Sequence, residues 1–117
     1  MDNKNIILSK SLVKIVVFVP KSHTDAVRKA VGDAGAGKIG NYGYCSFSID
    51  GTGRYKPLEG AHPTIGKVGK FEEVHEERIE CVCERNKAKK VISAIKQVHP
   101  YEEVAFDIYP LISEDEL

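Results

Sequence analysis

The chain has 117 residues, the length of one domain with a modest core. Its 42% apolar and 29% charged residues are those of an ordinary soluble globular protein, and 17 Lys plus Arg balance 17 Asp plus Glu. Zero net charge excludes a general electrostatic pull toward nucleic acid or anionic membrane, and no run reaches the ~18 apolar residues of a membrane span.

Residues 1–11 read as a loose polar lead, with only Ile6, Ile7 and Leu8 apolar, too little for a signal peptide. Leu12 to Val19 is β-branched and almost continuously apolar, which predicts a central strand buried on both faces and ended by Pro20. Ser22 and Asp25 then stand at the spacing of a capping box. Ala26, Val27, Ala30, Val31 and Ala34 follow at helical spacing, with Gly35 and Gly37 as helix-stop residues. Tyr42 to Ile49 alternates, putting Cys45, Phe47 and Ile49 on one face of a second strand and Tyr42 and Tyr44 on the other; Asp50-Gly51 supplies turn chemistry at its end.

From Gly51 to Lys70 the chain is rich in glycine and proline, and so long an irregular stretch in a small domain predicts a functional or interface arm. Phe71 to Glu84 resumes alternation, but Val74 and Ile79 differ in parity, so a bulge near Glu76-Glu77 is expected. Asn86 stands as an N-cap to a helix whose stripe is Ala88, Val91, Ile92, Ile95 and Val98. His99-Pro100 must end it, because proline pushes the residue before it out of helical angles. Val104 to Leu111 is the last strand.

The reading is one domain over 12–112, with a lead at 1–11, an arm at 51–70 and an acidic tail at 113–117. The order strand, helix, strand, arm, strand, helix, strand is that of an α+β ferredoxin-like sandwich, an antiparallel sheet with both helices on one face. The other face then lacks a cover. Leu12, Val16, Phe18, Tyr42 and Tyr44 are expected to supply part of it, and another subunit to bury it.

A family resemblance rests on residues spread over this framework. They are Gly37-Lys38-Ile39-Gly40-Asn41-Tyr42, Cys45-Ser46-Phe47, Gly51-Thr52-Gly53-Arg54-Tyr55-Lys56-Pro57, Gly60-Ala61-His62-Pro63, Ile65-Gly66, Gly69, Glu76, Arg78-Ile79-Glu80 and His99-Pro100-Tyr101-Glu102-Glu103. In this order the chain resembles, from about residue 12 to 111, the PII-like inserted domain of YqfO-type proteins, the dinuclear-metal family once labelled GTP cyclohydrolase type 2 homologues. The resemblance implies a fold similar to the signalling protein PII and to CutA, and with it a homotrimer. The flanking regions that carry the family's two-metal site are absent from it, so it implies a free-standing version of the insert, and the hydrolase-like activity is not carried over.

Candidate site residues gather at the last corner. His99 and Glu102, with His62 from the arm, have the donor types of a divalent-metal site, a possible cofactor. The competing reading, which is preferred, is a structural corner in which His99 ends the helix and Glu102 holds Arg54 or another base. Lys38, Arg54, Tyr101 and Glu103 are candidate contacts for a small ligand, and Lys38, Arg54 or Lys56 could serve a PII-like nucleotide cleft between subunits, although turn and arm geometry is the preferred reading of this glycine-rich region. The stretch Gly35-Ala36-Gly37-Lys38-Ile39-Gly40 follows a helix and opens a strand, the reverse of a dinucleotide fingerprint.

Cys81 and Cys83 alternate with Ile79 and read as buried core thiols, and Cys45 is read the same way. Three cysteines cannot all pair, which fits a reduced cytoplasmic protein. The functional expectation is a non-enzymatic, homo-oligomeric binding or regulatory module without nucleic acid or membrane partners. The alternative is a divalent-metal-binding protein.

Overall fold

A computed structural model describes residues 11–117, so the predicted lead over residues 1–10 lies outside the described residues. Strand β1, Leu12–Pro20, pairs antiparallel with β3, Glu72–Glu84, on one side and with β4, Phe106–Pro110, on the other. Strand β2, Phe47–Tyr55, adds to the outer side of β3, giving the order β2-β3-β1-β4. Helices α1, Thr24–Asp33, and α2, Ala88–Val98, complete the ferredoxin-like sandwich expected from the sequence.

Parity in β1 makes the core. Val13, Ile15, Val17 and Val19 turn toward the helices, where they meet Val27 and Val31 of α1, Val91 and Ile95 of α2, and Ile79, Cys81 and Cys83 of β3. Each fully buried Val or Ile contributes about 1.5–3 kcal/mol by leaving water, and this face gathers most of the fully buried ones. Val16, of opposite parity, is also fully buried, in keeping with the central position predicted for the strand.

Several expectations change. The second strand starts at Phe47, not Tyr42, and runs on to Tyr55, so Asp50-Gly51 lies mid-strand and the irregular arm starts only after Tyr55. β2 is an edge strand, where glycine and charge are tolerated, and Asp50 is neutralised by the Lys21 ammonium at 2.9 Å. Tyr44 cannot belong to a strand because its φ is +57°. Its ring lies over Gly32 and its hydroxyl donates to Asp33 at 2.6 Å, so neither it nor Tyr42 belongs to the open sheet face. Cys45 sits half-buried in this loop and is not part of the core.

No bulge interrupts β3. Its register is continuous against both neighbours, and Val74 and Ile79 simply face opposite sides. The change of parity in its burial comes from a change of cover: up to Glu76 the buried side chains are on the open face, and from Glu77 onward they face the helices.

Neither predicted N-cap forms. A 3₁₀ turn precedes each helix, Lys21–His23 and Arg85–Lys87, and the N-cap residues His23 and Lys87 make no side-chain cap bond. The end of α1 does follow expectation. Ala36 N–H donates to Val31 O and Gly35 N–H to Gly32 O, with Gly35 at φ +106°, a Schellman stop. Within the acidic tail, Ser113 and Glu116 form a capping box around a 3₁₀ turn.

Candidate functional site

The end of α2 is built by a histidine that serves two backbone groups. His99 adopts an extended conformation, its N–H still bonded to Ile95 O, while Pro100 prevents continuation. Its Nε2 lies 2.8 Å from the carbonyl of Phe18, and its Nδ1 accepts from the Tyr101 N–H at 3.1 Å. A carbonyl can only accept and an amide N–H can only donate, so the ring is the neutral Nε2–H tautomer. Burial, opposed by the Phe18 carbonyl, lowers its pKa below the usual histidine value.

Tyr101, set by that bond, crosses to the open sheet face and donates its hydroxyl to Glu76 Oε2 at 2.8 Å. Burial and this bond raise the phenol's pKa far above its ordinary value, so it stays a donor. Glu76 is only 8% exposed, and its carboxylate lies across Gly53 of β2, where a Cβ would collide with it. The arm folds over the same place. Tyr55 donates to Ile65 O at 2.6 Å, Thr64 to Pro100 O at 2.7 Å, and the His62 N–H to Glu102 Oε1 at 3.0 Å.

Sheet, arm and corner enclose a cavity of about 630 Å³. Phe18, Ile49, Tyr55, Pro57, Ala61, Pro63, Ile65 and Ala105 form its apolar walls, and Glu76, Arg78, Arg54, Tyr101, Glu102 and Glu103 supply polar groups. This size and mixture are typical of a small-molecule pocket.

Arg54, Tyr101, Glu102 and Glu103 thus share one cavity, while Lys38 lines a separate depression beside Tyr42, Tyr44 and Lys87. Lys56 lies over the Phe71 ring, 5.0 Å from its centroid. Arg54 pairs with Glu73 at 2.7 Å, not with Glu102. His62 meets Glu102 through its backbone, and both ring nitrogens of His99 face backbone groups. Among the described residues, no three His, Cys, Asp or Glu side chains are grouped to hold a metal ion. Phe18, Tyr55, Glu76 and Arg78 were not singled out as site residues in the sequence. The available signal was parity, since Phe18 follows Val16, and Glu76 follows Val74, onto the open face.

No family model matches the chain. Among curated proteins it is 54% identical over 108 residues to the GTP cyclohydrolase 1 type 2 homolog of Halalkalibacterium halodurans, a match covering 92% of this chain and 29% of that protein. The Bacillus subtilis protein of the same description is 54% identical over 100 residues, covering 86% and 27%. Among solved structures, a Bacillus cereus protein related to NIF3 superposes with TM-score 0.79 at 50% identity, covering 89% of this chain and 26% of that one. The periplasmic divalent cation tolerance protein CutA from Archaeoglobus fulgidus superposes with TM-score 0.65 at 15% identity, covering 87% and 85%, which is a likeness of fold. The chain spans less than a third of the curated relatives it matches. It is a homologue of one segment of the GTP cyclohydrolase 1 type 2 homologues, the NIF3-related YqfO family, and it carries the CutA-like fold.

Proposed function

We propose that this domain is a non-enzymatic, homo-oligomeric binding module of the cytoplasm, a trimer whose sheets face inward, with each arm folded over its own sheet. The observation that carries the binding role is the cavity of about 630 Å³ that arm and corner close over the open sheet face. Three hydrogen bonds pin the arm in that place, so the cavity is a built feature of the fold. Assembly is supported by the rest of the same face. Leu12, Phe47 and Tyr109, outside the cavity, share its parity and are exposed, Phe47 by 64%. Apolar side chains grouped on one sheet face favour association, and point-group symmetry makes identical copies the simplest cover.

Light scattering behind size exclusion tests the assembly. A mass about three times 12.9 kDa is expected, and a monomer mass at dilute concentration overturns it. A stable dimer overturns the trimer alone. Metal analysis of the native protein tests the binding role from the other side: a stoichiometric divalent ion, lost on His62→Ala, would replace this reading with that of a metal-binding protein.

A further inference from the structure

We infer that the cavity selects a small organic cation with a flat apolar body, an arylalkylammonium or arylamidinium, over the anionic nucleotide that the family resemblance implies. This rests on the reading of the cavity as a binding site and adds the charge of its ligand.

The argument is a charge balance around the walls. Both arginines are already paired with carboxylates: Arg54 Nε meets Glu73 at 2.7 Å, and Arg78 Nε meets Glu80 at 2.9 Å while its guanidinium lies over Phe18. Lys38 and Lys56 do not line the cavity. The acids are different. Among the described residues, Glu76, Glu102 and Glu103 form no ion pair with any Lys, Arg or His. Glu76 is more than nine-tenths buried, and the hydrogen bond it receives comes from a neutral phenol. A buried carboxylate without a cation is costly, and a ligand that brings one recovers that cost.

The shape of the charge points the same way. A metal ion needs several donors converging on one point, and the described residues offer no such group of three. An extended cation can meet Glu76 with one end while its body lies on apolar and aromatic walls. The rings of Tyr55 and Tyr101 are tilted at 59° with centroids 6.4 Å apart, and an aromatic face attracts a cation as well as apolar surface.

The probes are 2-naphthylmethylammonium and 2-naphthoate, alike in ring and opposite in charge, titrated calorimetrically into the full chain near neutral pH. The ammonium is expected to bind at least about tenfold tighter, and Glu76→Gln to shrink that preference to about threefold or less. Should Glu76→Gln fail to fold, Glu103→Gln, at an exposed position, is expected to reduce the preference instead. Equal or tighter naphthoate binding, an undiminished preference in the folded variant, or binding of neither probe overturns the inference. Tighter naphthoate binding leaves the cavity a binding site and overturns only its choice of charge, whereas binding of neither probe overturns both, and light scattering on the same samples reports the assembly separately. A trimer that binds neither probe removes the cation site and leaves the assembly, whereas a monomer that selects the ammonium does the reverse.

Discussion

His99 and Phe18, 81 positions apart, are joined by a 2.8 Å hydrogen bond from the imidazole Nε2 to the main-chain carbonyl. The bond locks the end of α2 to the end of β1, and through Nδ1 it also sets the first residue of the corner loop, Tyr101. Replacing His99 by Ala removes the donor for one backbone group and the acceptor for another. A loss of about 2–3 kcal/mol is expected, since unsatisfied buried polar groups cost about 1–3 kcal/mol each and water recovers part of this. Urea unfolding of His99→Ala with an unchanged midpoint would show that the corner is held elsewhere.

The same histidine makes stability depend on pH. Burial and His23 oppose its protonation, while the Phe18 carbonyl and Glu76 favour it, and the net effect is a lowered pKa. The unfolded chain takes up a proton at about pH 6.5 that the folded chain resists. The contribution is therefore complete above about pH 6.5 and declines as pH falls below it. Glu77 acts in a lower window. The Lys21 ammonium, assisted by Arg28, depresses its pKa, so its contribution is present above the ordinary carboxylate range and is lost in acid below it. Urea midpoints between about pH 7.5 and 5 isolate the histidine, and His99→Gln is expected to flatten the profile there. An equally steep slope in the variant would assign it to another group.

Gly53 is expected to resist substitution although its strand conformation suits any residue. The obstacle is the Glu76 carboxylate lying where a Cβ would go. Gly53→Ala should displace Glu76, weaken its bond to Tyr101 and cost about 1–3 kcal/mol. In the Glu76→Ala background the obstacle is gone, so the alanine at 53 should cost less than about 0.5 kcal/mol, and a double-mutant cycle without coupling contradicts the account.

Thiol labelling of the native protein should discriminate among the cysteines. Burial raises the Cys81 pKa to about 11 and also raises that of Cys83. Cys45 is half-buried in a loop. Since the thiolate is the reacting species, Cys45 should label first and Cys81 last. Rapid labelling of Cys81 in folded protein would place it outside the core.

The sequence by itself determined the topology. An apolar β-branched run from Leu12 to Val19 can only be a central strand, helical stripes place Val27, Val31, Val91 and Ile95 against it, and Pro100 ends α2 wherever the rest of the chain lies. Such features are legible because each depends on spacing or covalent geometry within a few residues. The edge strand was legible but its extent was not, because its pairing with β3 outweighs local preference: Asp50-Gly51 looks like a turn until Lys21 and Glu77 come beside it. Nor was the cavity, which brings Phe18, Gly53, Glu76 and Tyr101 together from four separate stretches. The polar corner was visible as composition, but only the fold decided that His99 would turn inward to serve two backbone groups. A buried imidazole must satisfy both nitrogens, and the Phe18 carbonyl and the Tyr101 N–H were the partners within reach.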